Sequence, residues 1–350
     1  HYLAETQHNK LQHITAISRI AEEEYVWMDR FTIRNLELYH STAANAVTLL
    51  EVIDKTISPM GGRLLKRWLA LPLKNSEKIK KRHEVVGFLL DHPEVLYKIQ
   101  EQIKEMSDLE RLISKVATGK VSPREVIQLK NSLEAIIPVK ETALGCDNEA
   151  LKVIGDNLHA CELLRSKITE SINEEAPVLI QKGNVIARGF HKELDELRDI
   201  AFSGKDYLDN MLERESAATG ITSLKIGNNN VYGYYIEVRN THKDKVPAEW
   251  VRKQTLVNAE RYITEELKEY EAKILGAEEK ILQLEQELFS KLVLWMNDYI
   301  QPVQQNAQLI AQMDCLCSFA QQAKIEQYSK PEIEEGFELQ IEEGRHPVIE

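Results

Sequence analysis

The chain has 350 residues, of which 43% are hydrophobic and 29% charged, and its formal net charge is −12 at pH 7. This length favours about two domains, and no apolar run approaches the roughly 18 residues that a membrane-spanning helix needs. The four cysteines fit no zinc-binding spacing, so we expect reduced thiols, no metal site and a cytoplasmic protein.

Helix signals dominate the first half of the chain. Residues 22–38 are an exception, because their aromatic and β-branched content predicts an extended segment that joins two domains. Further along, Ser122 and Glu125 predict a capping box at the start of a helix. Residues 177–188 predict a short hairpin.

One early helix carries a basic side. Ser58 is predicted to be its N-cap and Pro59 its first helical residue. Arg63, Lys66 and Arg67 lie opposite its apolar face. They indicate the solvent side of a core helix or, alternatively, an interdomain or nucleic-acid contact.

Two later segments carry apolar residues at alternating steps of three and four. The first extends from Leu194 to Met211, and the second from Leu267 to Leu288 within a helix predicted over about 264–300. Sustained spacing of this kind with charged flanks predicts two long antiparallel helices packed along a coiled-coil-like seam. At 1.5 Å per residue the second helix would be roughly 55 Å long.

The stretch between these helices, from Gly220 to Tyr262, has a different character. Leu224 and Ile226 alternate with polar residues, and residues 227–230 are of types that tolerate positive φ. The β-branched and aromatic content of residues 231–238 favours a strand. The sequence therefore predicts a small β-rich insertion, with a hairpin around residues 228–230, at the tip of the helix pair.

This insertion is basic although the chain is acidic. Seven basic and four acidic residues give it a charge of +3, which leaves −15 for the rest of the chain. A local positive excess favours contact with a polyanion, although a solvated β-tip with ordinary surface lysines would give the same count. The candidate phosphate-contacting cations are Lys225, Arg239, Lys243, Lys245, Arg252 and Lys253.

The sequence carries no signature of catalysis. It contains no phosphate-binding loop, no dinucleotide-binding glycine motif, no nucleophile elbow and no catalytic Cys–His signature. We therefore expect that this chain by itself is not an enzyme and binds no cofactor.

Several longer strings are more specific than any of these patterns. The strings are PMGGRLLKRWLALPL (59–73), GYYIEV (233–238), QTLVNAERYITEELKEYE (254–271) and EGRHPVIE (343–350), supported by SDLERLISKVA (107–117) and ELDELRD (193–199). In this order and at these separations they resemble the MutS family of bacterial DNA mismatch-repair proteins. The resemblance covers essentially the whole chain.

The resemblance implies a mainly α fold with a domain order. A multi-helix lever, or core, domain carries a small β-rich clamp at the tip of two long antiparallel coiled-coil-like helices. The family's mismatch-reading and nucleotide-binding domains are expected to lie outside this chain. The implied boundaries are 1–20 for the end of a connector domain, 21–213 and 264–330 for the lever, 214–263 for the clamp and 331–350 for the start of a truncated ATPase domain.

The resemblance also implies a function. The clamp would contact the DNA backbone non-specifically, and the lever would transmit conformational change between the DNA-binding and ATPase domains. The intact protein would be a homodimeric DNA-dependent ATPase that uses ATP and Mg²⁺, binds mismatch-containing double-stranded DNA and works with a MutL-like partner. Further positions in or beside the clamp's DNA-facing surface are Asn228, Asn229, Asn230, Gln254, Thr255, Asn258 and Arg261.

Two other functions stay open on the sequence alone. A relative on the same scaffold that binds recombination junctions would share the lever and clamp, because the discriminating N-terminal domain is not in this chain. A helical scaffold that binds only proteins would show the same coiled-coil spacing. Tight, tip-dependent DNA binding would exclude the scaffold.

Overall fold

The computed structural model describes residues 23–41, 46–229 and 233–349, except for the side chains of residues 202–206 and 274–275. The predicted connector segment, residues 1–20, and Asn230 lie outside this part of the chain. Over the described residues the fold is mainly helical with a small four-stranded antiparallel sheet, as predicted. No helix there combines the length and the apolarity that a membrane crossing demands.

The chain divides into two compact units, and the second comprises Ser171–Lys291. The first unit, made of the residues before and after it, is helical. Its helices are α1 (Arg30–Asn35), α2 (Leu49–Ile53), α3 (Pro59–Ala70), α4 (Ser76–Asp91), α5 (Pro93–Lys104), α6 (Leu109–Ala117), α7 (Pro123–Gly145), α8 (Glu149–Asp156), α9 (Glu162–Ser171) and α12 (Ile300–Glu326).

Helix α12 is the centre of the first unit. It contacts α2, α3, α4, α5 and α6, and its buried residues lie on all sides of the helix rather than along one stripe. A helix surrounded in this way belongs to the interior of a domain. Some of the buried residues of α12 are polar, among them Asp314, which is fully buried.

Asp314 holds the beginning of α3. Its carboxylate accepts hydrogen bonds from the backbone N–H groups of Ile57 and Ser58 and, at 2.7 Å, from the Ser58 hydroxyl. Ser58 also caps α3 as predicted, because its Oγ accepts from the Gly61 N–H at 3.0 Å. A Cβ at Gly61 would lie 2.2 Å from Asp314 Oδ2, so this contact requires glycine.

Other local predictions have mixed outcomes. The Ser122–Glu125 capping box is confirmed. The extended prediction for residues 22–38 is wrong over α1, because Asp29 accepts a hydrogen bond from the Thr32 N–H at 2.7 Å and begins a helix there. The hairpin over 177–188 is also wrong: the segment contains a 3₁₀ turn, and Ile186 pairs instead with Ile172, outside the predicted hairpin.

The second unit contains two long helices and the sheet. The helices are α10 (Lys192–Thr219) and α11 (Glu265–Trp295). The strands are β1 (Lys225–Asn229), β2 (Gly233–Arg239), β3 (Val251–Thr255) and β4 (Ala259–Ile263), in the spatial order β1-β2-β4-β3. Gly220 ends α10 in the left-handed conformation at φ +66°, which glycine adopts at no steric cost. The β1–β2 pairing forms the hairpin that the sequence predicts.

The sheet and the helix ends share one hydrophobic core. Sheet residues Ile236, Val238 and Tyr262 pack there with Met211 of α10 and Leu267 of α11. The sequence predicted that these two helix residues pack in the seam between α10 and α11. Part of that apolar pattern therefore packs against the sheet. The coiled-coil-like seam itself stays a prediction.

Candidate nucleic-acid interface

The register of the sheet shows on which of its two faces each predicted residue lies. Side chains of paired residues in antiparallel strands lie on the same face, and successive residues alternate between faces. Ile226, Ile236 and Tyr262 form one row, on the face that covers the core. The opposite face, which we call the outer face, carries a polar row across all four strands: Lys225, Glu237, Arg261 and Gln254.

Arg261 is the most constrained residue of the outer row. Its Nε donates to Glu237 Oε2 at 3.2 Å, and its Nη1 donates to Gln254 Oε1 at 2.9 Å. Its guanidinium carbon lies 4.2 Å from the centre of the Tyr235 ring, within cation–π range. The register therefore engages Arg261 with three neighbours across the strands, and its role as a phosphate contact stays a prediction.

Glu260 attracts two of the predicted cations. Its carboxylate is buried, accepts from Arg252 Nη1 at 3.2 Å and lies 3.8 Å from Lys243 Nζ. The Tyr262 hydroxyl also donates to it, and this hydrogen bond, ahead of the two cations, holds the pKa of Glu260 below its usual value. Burial, followed by the hydrogen bond to Glu260, raises the pKa of Tyr262 to about 12. Lys243 and Arg252 thus face a carboxylate.

Four predicted cations remain without a carboxylate partner among the described residues. All four side chains are exposed, and they come from β1, β2, the 3₁₀ turn Asn240–Lys245 and the bulge in β3 between Arg252 and Gln254. Uncompensated exposed cations are the groups that attract a phosphate backbone. They are Lys225, Arg239, Lys245 and Lys253.

The predicted polar contacts lie in different surroundings. Asn228 and Thr255 are exposed at strand positions, whereas Asn229 is half-buried. Asn258 is exposed in the β3–β4 turn, beside Val257, which is 92% exposed. The Gln254 side chain accepts a hydrogen bond from Arg261, as described above.

Two residues near this surface were missed by the sequence analysis. Asn240 donates from its backbone N–H to Asn258 O at 3.1 Å and from Nδ2 to Val257 O at 3.0 Å, which joins the end of β2 to the β3–β4 turn. Tyr235 lies beneath the Arg261 guanidinium. No sequence pattern signals either role, because both depend on contacts between strands.

The basic side of α3 is partly neutralised. Arg63 donates to both carboxylate oxygens of Asp108, at 2.8 and 2.9 Å, and to Glu110 Oε2 at 2.6 Å. Lys66 Nζ lies 5.0 Å from the centre of the Tyr39 ring. Of the basic groups on this helix, only Arg67 is exposed without such a contact among the described residues. These contacts favour a structural role for Arg63.

No group of three or more His, Cys, Asp or Glu side chains in the described part of the chain is arranged to hold a metal ion. The sheet and its turns present exposed cations, amides and hydroxyls, and groups of these kinds make electrostatic and hydrogen-bonded contacts with phosphate.

Comparisons with known proteins agree with the resemblance seen in the sequence. Proteins named DNA mismatch repair protein MutS from Christiangramia forsetii, Flavobacterium johnsoniae and Parabacteroides distasonis are 78%, 69% and 56% identical to this chain over 350 residues, which is 100% of the chain. The chain spans about 40% of the length of these relatives. The family model described as MutS domain III matches residues 31–320, so the chain belongs to the MutS domain III family.

Proposed function

We propose that this chain is the lever and clamp region of a MutS-type DNA mismatch-repair protein. The sheet of the second unit contacts the DNA backbone, and α10 and α11 carry conformational change between the DNA-binding and ATPase parts of the intact protein. The observation that carries the proposal is the set of exposed cations without a carboxylate partner among the described residues, on this sheet and its adjoining 3₁₀ turn, in a chain whose relatives are named for mismatch repair.

The proposed domain limits follow the family resemblance. The lever comprises residues 21–213 and 264–330, the clamp 214–263, the end of a connector domain 1–20 and the start of an ATPase domain 331–350. The intact protein is proposed to be a cytoplasmic homodimer that uses ATP and Mg²⁺, encircles double-stranded DNA and binds a MutL-like partner. The names of the matched relatives favour mismatch repair over junction binding or a protein-only scaffold.

Contacts between the long helices support a paired lever. Arg198 lies 2.6 Å from Glu285, the rings of Tyr207 and Tyr270 stack at 4.7 Å, and Arg214 forms an ion pair with Glu266. In these pairs the residue number rises along α10 as it falls along α11. Antiparallel neighbours have this order, so the contacts support two antiparallel helices that move together.

Contact with the DNA backbone fits cations that come from several elements of the protein. It requires no recognition helix that reads the bases. Phosphate contacts position a protein on DNA and carry no sequence information directly. Each phosphate that is neutralised contributes about −0.9 to the slope of log K against log salt on duplex DNA. The proposal therefore predicts DNA binding that is independent of sequence and weakens with salt.

A fourfold charge-removal variant of the full-length protein tests the proposal. Lys225, Arg239, Lys245 and Lys253 are changed to Ala, and duplex affinity is measured over a series of salt concentrations. We expect weaker binding and a slope flatter by up to about 3.6 if all four cations contact phosphate. The matched control removes four exposed cations of the first unit: Lys98, Lys104, Lys120 and Arg124.

The two variants lose the same charge, so a general electrostatic effect would weaken both equally. A control that weakens binding as much as the sheet variant, with the same change in slope, would rule out the sheet as the contact surface. Unchanged affinity and slope in the sheet variant would do the same.

A further inference from the structure

A cleft of about 550 Å³ lies in the first unit between α4, α8 and α12. Its apolar lining includes Val85 of α4, Ile154 of α8, and Leu309 and Leu316 of α12. This volume is in the range of pockets that hold small molecules, which are mostly apolar with a few polar groups. The cleft lies in the helical unit and shares no residue with the sheet.

Arg82 is the unusual group in this cleft. Its guanidinium carbon lies 3.4 Å from the centre of the Trp68 ring, and its side chain is only partly exposed. Among the described residues no carboxylate or carbonyl accepts a hydrogen bond from it. Burial lowers the pKa of Arg82 from its ordinary value, as expected of a cation that has lost water without gaining a counter-ion.

Arg63 in the same unit shows the usual arrangement, because two carboxylates accept its hydrogen bonds. Cations taken from water are normally paired, since an unpaired one forgoes its hydration without compensation. Stacking on Trp68 holds the Arg82 guanidinium in place and leaves its N–H donors for another acceptor.

The other charged groups of the lining leave a positive excess. Lys78 is paired with Glu24 at 2.9 Å, and the lining residue Glu149 is paired with Lys152 at 3.0 Å. Lys81 is exposed and has no carboxylate partner in the described part of the chain. Of the two acidic lining residues, Glu84 is the one whose carboxylate has no basic partner in the part of the chain that the structure describes. The lining therefore carries two cations without a carboxylate partner among the described residues, Lys81 and Arg82, and one such acid, Glu84, all on α4.

We propose that this cleft is a binding site for a small amphipathic anion. The aromatic or aliphatic body of the ligand lies on Val85, Ile154, Leu309 and Leu316, and its carboxylate, sulfonate or phosphate group binds Arg82 and Lys81. The planar donor fork of arginine matches such oxyanions. The apolar floor selects against inorganic anions, because they have no surface to bury there.

Two dyes that differ in charge test the site on the full-length protein. The anionic probe is 8-anilinonaphthalene-1-sulfonate, and the neutral probe is N-phenyl-1-naphthylamine, which has the same rings without the sulfonate. We expect the anionic probe to bind more tightly than the neutral one. We also expect this advantage to diminish with added salt, because charge supplies it.

Variants of residues that line the cleft test whether the probes bind there. Arg82→Gln and Lys81→Gln should each weaken the anionic probe, the former by about tenfold, and leave the neutral probe unchanged. Ala150→Trp fills the cleft and should weaken both probes. Arg67→Gln, which removes an exposed arginine from α3, is the matched control and should change neither.

Thermal melting of each variant checks that it folds. If Arg82→Gln does not fold, because the stacking on Trp68 is lost, Lys81→Gln and Ala150→Trp decide the test. Equal affinity for the two probes would overturn the proposal. Anionic binding that survives both Lys81→Gln and Ala150→Trp would overturn it as well.

Discussion

Arg198 of α10 and Glu285 of α11 form an ion pair, with Nη2 and Oε1 2.6 Å apart. The Glu285 side chain is fully buried and that of Arg198 is 18% exposed. Glu285 Oε1 also accepts from the backbone N–H of Val185 at 3.1 Å, and Arg198 Nη2 donates to Ile186 O at 2.8 Å. The pair therefore joins both long helices to the segment that precedes α10.

Breaking this pair should be costly. We expect Arg198→Ala to lower the free energy of unfolding by about 3–5 kcal/mol, because the fully buried Glu285 loses its cation. Glu285→Ala should cost less, because Arg198 keeps an ion pair with Asp195, with Nη1 and Oδ1 3.2 Å apart. The double variant should lose less than the sum of the two, by about 1 kcal/mol or more. Denaturant unfolding of all four proteins measures this coupling.

The control for this cycle is the exposed pair Lys192–Glu196 on α10, where the nitrogen and oxygen are 3.7 Å apart. Its removal should change stability by no more than about 0.5 kcal/mol. Additive losses for Arg198 and Glu285 would show that the pair does not couple the helices.

Adjacent glycines in α3 should respond in opposite ways to alanine. At Gly61 the added Cβ would lie 2.2 Å from Asp314 Oδ2, and Asp314 is fully buried and held by hydrogen bonds. We expect Gly61→Ala to lower the free energy of unfolding by about 1–3 kcal/mol.

At Gly62 the nearest atom would be Thr56 Oγ1 at 3.4 Å, an ordinary contact. Gly62→Ala should therefore be neutral or gain up to about 1 kcal/mol from helix propensity. Thermal unfolding that ranks the two variants in the reverse order would contradict this account of Gly61.

Two arginines of β2 and β4 should separate binding from stability. Arg239 is exposed without a carboxylate partner among the described residues, so Arg239→Ala should flatten the salt dependence of DNA binding by about 0.9 and leave the melting temperature unchanged. Arg261→Ala removes the partner of Glu237 and Gln254, so it should cost about 1–3 kcal/mol of stability. DNA titration and thermal melting of both variants test the contrast. A stable Arg261→Ala protein with a flattened slope would instead assign that arginine to phosphate contact.

The pH dependence of stability should report the environment of Asp314. Burial raises the pKa of Asp314 above 3.8, although hydrogen bonds from Ile57 and Ser58 oppose the shift. The folded state therefore binds this proton more tightly than the unfolded chain does. Its contribution to stability is most favourable at low pH and falls as pH rises from about 4 to the folded-state pKa.

Unfolding of the wild type and Asp314→Asn, compared between about pH 2 and pH 7, isolates this contribution. The stability of the wild type relative to the variant should fall as pH rises. Asp108 supplies a control of opposite sign, because the Arg63 and Arg111 hydrogen bonds outweigh burial and lower the pKa of Asp108 below 3.8. A wild-type advantage over Asp314→Asn that grows with pH would contradict the direction assigned to Asp314.

Local signals in the sequence were sufficient for several elements. Ser58 and the Ser122–Glu125 box begin helices as predicted, because a cap depends on residues three positions apart in the chain. The change from helical to alternating periodicity after Gly220 located the sheet. The longer strings identified the family, which the match over residues 31–320 confirms.

Tertiary contacts decided what the sequence could not. Arg239 and Arg261 are both cations of the basic stretch, but only the strand register brings Glu237 and Gln254 to Arg261 and leaves Arg239 exposed. Leu267 follows the spacing of a helix seam, yet it packs in the core of the sheet. A one-dimensional pattern specifies residue type and period, whereas the partner of a side chain depends on which segments the fold brings within a few ångströms of it.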